Sequence, residues 1–302
     1  MKSLKELLVY YQGISRGAFA TSEHKFPSGT GRVELGEDRR DIDSAILYDA
    51  DRLAKAALAS FLASSRLLSG GHRTWADITL YYAEFHIVNA LLRLAGVVSA
   101  NKGRSLLLRV DEVRRAYSVL ARSDPKAKEV GFSGGGSHKE LWRMFARTFR
   151  DWTDTEPRQF AYLRRENAEG EGWKIQGYEI PVMMRNQANY LQSIVGVFFP
   201  ETDLTGLQEA TVSTARRMGN WDWLRTDDNP MSEEEPPEAY FHEEMMAWDL
   251  IKYVIRALVA LEGERLLEQY IWIIENLDAH DELRDHMKAD LQSMGVEKRS
   301  GV

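Results

Sequence analysis

Two long segments in which apolar residues recur with the period of an α-helix constrain the fold more than any other feature. The first covers residues 41–69, where apolar side chains return every three or four positions. Gly70 and Gly71 follow it, and glycine commonly ends a helix. The second covers residues 74–98 and is apolar around most of its circumference. Because such a helix must be surrounded by other elements, the sequence predicts a helical bundle.

Shorter helical patterns flank this pair on both sides. Helices are predicted at residues 2–18, 137–152, 157–167, 181–198, 203–218, 238–262, 263–276 and 279–294. Residues 105–110 have the pattern of a short strand, 113–121 fit either a strand or a helix, and the segment 23–40 is predicted to be a loop. The predicted fold class is therefore all-α, with at most a small β element.

The composition supports a packed core and excludes several kinds of site. We interpret four of the eight tryptophans as core anchors instead of base-stacking platforms: Trp221, Trp223, Trp248 and Trp272. The chain has no cysteine, which excludes disulfides, thiolate catalysis and cysteine-bound metals. We expect no cofactor, since the glycine-rich segment 131–136 lacks the Lys-Ser/Thr of a P-loop. We also expect no metal, because His280 and His286 are about 240° apart on a helix and do not converge.

Hydropathy along the chain gives an expectation about its location. No stretch approaches the roughly 18 uncharged apolar residues that a spanning helix needs. The first residues also lack the long apolar region of a signal peptide. We therefore expect a soluble, cytoplasmic protein without a membrane partner.

Charge is distributed unevenly along the chain, although the formal net charge is −7. Residues 102–165 contain 15 basic and 8 acidic side chains, whereas residues 201–302 contain 10 basic and 23 acidic ones. The arginine-rich middle fits contacts to RNA or DNA phosphates. Alternatively, the acidic C-terminal part packs against the basic middle and neutralises it. Both interpretations remain open at this point.

One predicted helix, residues 181–198, carries several polar side chains on an otherwise apolar segment. At about 100° per residue, its Arg185, Asn186, Asn189 and Tyr190 lie within an arc of about 140°. An arginine, two amides and a phenol on one face offer donors for a phosphate and a group that can bind a ribose or a base. The alternative is a buried polar network that joins helices.

Two segments together resemble the HEPN superfamily of helical bundles. These are Tyr81-Tyr82-Ala83-Glu84-Phe85-His86-Ile87-Val88-Asn89-Ala90-Leu91-Leu92, and later Arg185-Asn186-x-x-x-Tyr190. The resemblance implies a core of four or five helices, frequent dimerisation and, in many members, RNA cleavage without a metal. It divides the chain into an N-terminal helix and loop at 1–40, a HEPN-like bundle at 41–198 and an acidic helical region at 199–302.

Residue by residue, the resemblance assigns roles to this helix. Arg185 matches the motif arginine and Asn186 the polar residue after it, but Tyr190 stands where the family has histidine. Histidine exchanges protons near neutral pH, whereas tyrosine, with a pKa of about 10, mainly orients or donates. The predicted catalytic residues are thus Arg185, Asn186 and Tyr190, with Asn189 binding substrate. His86 is either a core or interface residue or the missing base, and we include it as substrate-binding.

Two classes of function follow from these observations. In the first, a HEPN-like protein binds or cleaves RNA as a metal-independent endoribonuclease, in bacterial defence or a toxin–antitoxin-like system. It forms a homodimer through the Arg185 helix. In the second, the chain is a non-catalytic helical scaffold or sensor whose acidic C-terminal region binds a protein partner.

Overall fold

The computed structural model describes residues 2–17, 33–35, 39–101, 105–111, 116–133, 138–154, 157, 239–277 and 281–296. The helices of these ranges are α1 (Leu4–Tyr11), α2 (Arg39–Ser69), α3 (Arg73–Leu94), α4 (Pro125–Glu129), α5 (His138–Phe149), α6 (Ala239–Glu262), α7 (Glu264–Asn276) and α8 (Asp281–Val296). The strands are β1 (Val33–Leu35), β2 (Val97–Asn101), β3 (Ser105–Asp111) and β4 (Ala116–Ala121). Most of the described residues are helical, which confirms the mostly helical prediction with a small β element. The HEPN-like arrangement stays a prediction.

The strands form one antiparallel sheet in the order β1-β4-β3-β2. Strands β2, β3 and β4 follow one another along the chain, whereas β1 joins from the N-terminal side through the pair Val33↔Val119. All four residues from Tyr117 to Leu120 are buried. Because neighbouring residues of a strand point to opposite faces, β4 is covered on both sides.

The structure corrects the predicted end of the second long helix. The sequence predicted a helix as far as residue 98, but α3 ends at Leu94 and Val97 already belongs to β2. Gly96 stands between them with a φ of +71°, and its amide donates to the carbonyl oxygen of Arg93 at 2.8 Å. Glycine adopts this left-handed conformation without strain and so ends the helix.

Besides β2, two short elements were not predicted from the sequence. The segment 23–40 was predicted to be a loop, yet Val33–Leu35 forms β1 and α2 begins at Arg39. Helix α4 was also missed, although its start has a recognisable cap. The Asp124 side chain accepts a hydrogen bond from the Lys126 amide at 2.8 Å, and Pro125 occupies the first turn.

The other helix predictions have mixed outcomes. The segments 41–69, 238–262, 263–276 and 279–294 are helical, as α2, α6, α7 and α8, and the segment 113–121 contains a strand. Helices α1 and α5 are shorter than predicted. The helices predicted at 157–167, 181–198 and 203–218 lie outside the described residues, apart from Pro157.

The chain divides into two compact units, each made of three separate stretches. Unit 1 contains Met1–Ala54, Phe85–Val182 and Tyr253–Gly263, and unit 2 contains Lys55–Glu84, Met183–Lys252 and Glu264–Val302. The divisions at residues 54, 84 and 252 fall inside α2, α3 and α6. The sheet lies in unit 1. The domain boundary predicted at residue 198 lies outside the described residues.

Polar side chains inside unit 1 join elements that are distant in sequence. The hydroxyls of Tyr117 and Tyr10 donate to Oδ1 of the fully buried Asp43 at 2.6 and 3.2 Å. These bonds tie β4 and α1 to α2. Buried carboxylates are stable only with such partners, so this group fixes the packing of three elements.

A second buried group of unit 1 connects α6 to the segment after α5. The indole nitrogen of Trp152 donates to the Tyr253 hydroxyl at 2.8 Å, and that hydroxyl donates to Asp154. Asp154 also accepts from the backbone amide of Leu4 at 2.7 Å. A carboxylate at the first turn of α1 satisfies an amide that the helix itself leaves unpaired.

The core of unit 2 is built around Trp248 of α6. Its ring stacks on Phe61 of α2 with centroids 5.9 Å apart, and its indole nitrogen donates to Asp290 of α8 at 2.9 Å. The Ser64 hydroxyl donates to the carbonyl oxygen of Ala76 at 2.8 Å. Trp248 is thus confirmed as a core anchor. None of the described helices combines the length and the apolar character that crossing a membrane requires.

Candidate functional site

The predicted polar helix is not among the residues that the structure describes. Arg185, Asn186, Asn189 and Tyr190 all lie outside the described residues, and their roles stay predictions. His86 is the member of the predicted site that the structure describes. The candidate site therefore consists of His86 and the polar side chains near it.

His86 lies in the unit 1 part of α3 and is half-buried. Its ring meets that of Phe85 edge-on, with centroids 5.9 Å apart. The ring of His138, the first residue of α5, lies 4.6 Å from the same Phe85 ring. Aromatic contacts of this kind restrict ring rotation, so His86 is held by its surroundings while part of it faces solvent.

Polar residues continue along α3 from His86 at helical spacing. Asn89 and Arg93 follow three and seven positions later, so the three side chains share one face of the helix. The Arg93 Nη1 atom donates to the side-chain oxygen of Asn89 at 3.2 Å and to its carbonyl oxygen at 3.3 Å. These bonds hold the guanidinium against its own helix.

The facing part of α2 contributes one acidic and one basic side chain. Arg93 Nε lies 3.2 Å from Asp49 Oδ2, and Arg52 Nη2 lies 3.4 Å from Asp49 Oδ1. Arg52 is 67% exposed and is a near neighbour in sequence of its partner, so its ion pair is weak. We call Asp49, Arg52, His86, Asn89 and Arg93 the α2–α3 polar cluster.

The electrostatics of this cluster favour a neutral imidazole and an excess of positive charge. Burial lowers the pKa of His86 below its ordinary value of 6.5, and the positive charge of Arg52 acts in the same direction. Burial also lowers the pKa of Arg93, whereas the neighbouring Asp49 raises it. With His86 neutral, two guanidinium groups face one carboxylate. The cluster can therefore attract an anion and accept a proton near neutral pH.

Of this cluster, His86 was predicted from the sequence as a site residue, whereas Arg52, Asn89 and Arg93 were not. A signal for the last two was present, since polar residues at positions three and seven after His86 interrupt an otherwise apolar helix. No comparable local signal existed for Arg52, because its closeness to His86 results from the packing of α2 against α3.

Unit 2 contains a second cluster of titratable groups, on α6 and α8. The Lys252 amino group lies 3.2 Å from Asp290 and 3.5 Å from Asp249, and His286 Nε2 lies 3.6 Å from Asp290. The Asp290 carboxylate also accepts from the buried Trp248. These contacts hold two core helices together, so we interpret the cluster as structural. Within the described ranges, no group of three or more His, Asp or Glu is placed to hold a metal ion.

A cleft beside α7 overturns one interpretation made from the sequence. Trp272 was predicted to be a core anchor, yet it is 62% exposed. The cleft has a volume of about 500 Å³ and is lined by Lys55, Arg265, Glu268, Gln269, Trp272 and Ile273. Trp221 and Trp223 lie outside the described residues.

Comparison of the chain with known proteins finds no matching family model, no matching curated protein and no matching solved structure. The resemblance to HEPN proteins therefore rests on the two sequence segments that carry it.

Proposed function

We propose that this chain is a HEPN-like protein that binds RNA, with a role in bacterial defence or a toxin–antitoxin-like system. The observation that carries the proposal is the α2–α3 polar cluster, in which the exposed cation Arg52 and the half-buried imidazole of His86 lie on neighbouring helices joined by the Asp49–Arg93 ion pair. An exposed guanidinium binds phosphate oxygens strongly. A neutral imidazole beside it accepts a hydrogen bond or a proton from a ribose hydroxyl.

The enzymatic form of this proposal is a metal-independent cleavage of the RNA backbone. His86 takes the proton of a ribose 2′-hydroxyl, whose oxygen forms a bond to the adjacent phosphorus. The bond from phosphorus to the 5′-oxygen breaks, and that oxygen takes a proton from solvent. The products are a 2′,3′-cyclic phosphate and a 5′-hydroxyl. From the sequence, Arg185 contacts the phosphate, Asn186 and Asn189 position it, and Tyr190 orients the ribose.

RNA binding is tested by fluorescence anisotropy with a labelled single-stranded RNA at several salt concentrations. Arg52→Gln is expected to weaken binding several-fold and to reduce the salt dependence by roughly one phosphate contact. Arg40→Gln is the matched control, because Arg40 is also an exposed arginine of α2 in unit 1 but lies outside both the α2–α3 polar cluster and the basic segment 102–165. An equal effect of both substitutions, or no binding by the unchanged protein, contradicts the proposal.

Cleavage is tested separately, by incubating the protein with total RNA in the presence of EDTA. We expect products that carry cyclic phosphate ends, and we expect Arg185→Ala and His86→Gln each to abolish them. Equal cleavage by the unchanged and substituted proteins points to a contaminating nuclease. Absence of cleavage with intact RNA binding leaves the binding role and removes the enzymatic one.

The rival function is a scaffold or sensor that binds a protein partner through the acidic C-terminal region. It predicts that Arg185→Ala alters assembly or thermal stability and leaves RNA handling unchanged. A sizing column and a thermal melt of the same variant distinguish the two functions. The sizing column also tests the proposed homodimer.

A further inference from the structure

The cleft beside α7 contains a large aromatic side chain, Trp272, that does not take part in the packing of the unit 2 core. Helix α7 packs through Leu266, Leu267, Tyr270 and Ile274, which are all buried. Trp272 lies two positions after Tyr270, about 200° around the helix, and therefore faces away from this buried side. A large indole in that position adds nothing to the packing of α7. It is available for a ligand.

The polar residues of the cleft lie on the same side of α7 as this indole. Arg265 precedes Trp272 by seven residues, or about two turns, so the two side chains project in nearly the same direction. Glu268 and Gln269 occupy the turn between them. Within the described residues, Arg265 forms no hydrogen bond and no ion pair, and its guanidinium is open to an incoming anion.

Lys55 of α2 closes the cleft from the side and is held in place by two contacts. Its amino group donates to Gln269 Oε1 at 2.8 Å, and it lies 5.8 Å from the centre of the Tyr270 ring. A lysine fixed by an amide and an aromatic face loses little further freedom when it meets an anion. The cleft thus offers two cations beside an exposed aromatic face.

We propose that this cleft is a nucleotide subsite for single-stranded RNA, in which a base stacks on Trp272 and a phosphate meets Arg265. Stacking on tryptophan accepts every base, because each base has a π-face. Glu268 and Gln269 are placed to bind the edge of the base or the ribose hydroxyls. This subsite rests on the RNA binding proposed above and gives it a preference for unpaired strands.

The test compares two tryptophans that are equally exposed. Trp272 and Trp75 of unit 2 are 62% and 63% exposed, but Trp75 does not line the cleft. Binding of labelled single-stranded and duplex RNA is measured for the unchanged protein, Trp272→Ala, Trp272→Phe and Trp75→Ala. We expect Trp272→Ala to weaken single-strand binding by about fivefold or more, Trp272→Phe to weaken it less, and Trp75→Ala to leave it unchanged. Duplex binding should not respond to any of them.

Competition by adenosine and uridine monophosphates shows whether the cleft binds a free nucleotide or only a nucleotide that is part of an RNA strand. Competition that depends on Trp272 means that the cleft binds the nucleotide itself, whereas competition only by oligonucleotides means that it needs the strand. Single-strand binding that is equal in Trp272→Ala and the unchanged protein overturns the subsite and leaves the RNA proposal standing. Absence of RNA binding by the unchanged protein overturns the RNA proposal itself. Circular dichroism of each variant confirms that the fold is intact.

Discussion

Arg93 Nε lies 3.2 Å from Asp49 Oδ2, and this ion pair joins α3 to α2 within unit 1. The two ends of the pair differ in their surroundings, since the Arg93 side chain is 16% exposed and the Asp49 side chain 38%. The guanidinium is therefore the group that depends on its partner. Among the described residues, removing the carboxylate leaves a mostly buried cation whose hydrogen-bond acceptors are the two Asn89 oxygens.

We expect Asp49→Ala to lower the free energy of unfolding by about 1–2 kcal/mol, because it leaves the buried guanidinium short of an acceptor, although solvent near Asp49 screens the pair. Arg52→Ala is the matched control, since it removes the exposed partner of the same carboxylate and should cost less than about 0.5 kcal/mol. Urea unfolding measures both. Equal losses of unfolding free energy in the two variants would mean that solvent screens the Arg93–Asp49 pair as strongly as the exposed Arg52–Asp49 pair.

Two buried tyrosines should make unit 1 sensitive to alkaline conditions. Burial raises the pKa of Tyr117 well above the ordinary value of 10.0, and burial together with the hydrogen bond to Asp154 raises that of Tyr253. Above about pH 10 the unfolded chain loses protons that the folded chain keeps, so stability present below that pH is lost as pH rises. Each such tyrosine contributes a slope of about 1.4 kcal/mol per pH unit.

We therefore expect Tyr253→Phe to make the alkaline loss of stability shallower, by removing one of these groups. Tyr48→Phe is the control substitution, because Tyr48 is 42% exposed and is not one of the two buried tyrosines. Urea unfolding at about pH 9 to 11 gives the slopes, and tyrosinate absorbance gives the ionisation. The idea fails when all 12 tyrosines ionise before the protein unfolds.

The neutral state of His86 can be observed directly by NMR titration of the histidine rings. We expect a pKa below 6.5 and an upward shift in Arg52→Gln, because that substitution removes a positive charge which disfavours the imidazolium. Arg150→Gln should leave the pKa of His86 unchanged, and the resonance that is missing from His86→Gln identifies the His86 signal. Below about pH 6.5, His86 takes up a proton more readily in the unfolded chain than in the folded chain. Acidification is therefore expected to lower the free energy of unfolding. An unchanged pKa of His86 in Arg52→Gln would contradict the proposal that Arg52 lies near His86.

Gly96 is the glycine whose replacement should be least tolerated in the sheet region. Its φ is +71°, and a Cβ atom added there would come within 2.6 Å of the Val110 Cβ. Gly263→Ala is a matched control, with a φ of +87° but no atom within 4 Å of the added Cβ. We expect Gly263→Ala to cost about 1 kcal/mol for backbone strain, and Gly96→Ala clearly more because Val110 must move. Thermal or urea unfolding of both variants measures the difference, and equal costs would exclude the steric contribution.

The helices were largely predictable from the sequence because their signal is local. In α2, apolar residues such as Leu47, Leu58 and Leu62 return with helical period, and these side chains are fully buried. Strand β1 was not predictable in this way. Val33 pairs with Val119, which is 86 positions further along the chain, and no local pattern of three residues specifies such a partner.

Misleading local signals explain the remaining errors. The valines at 97 and 98 continue the apolar pattern of α3, so they hid the stop that Gly96 already indicated. Trp272 was interpreted from its residue type alone, although the positions of Leu266, Tyr270 and Ile274 place it on the outer side of α7. For the candidate site, the sequence identified His86, while its relation to Arg52 arises only when α2 and α3 pack.

The interleaving of the two units has a practical consequence for dissecting this protein genetically. Each unit is assembled from three stretches, and α2, α3 and α6 each contribute residues to both. A truncated gene that encodes one unit would begin or end inside these helices and cut each of them short. Short helices are only marginally stable in water, so such fragments should fold poorly. Mapping the function therefore calls for single substitutions in the intact chain.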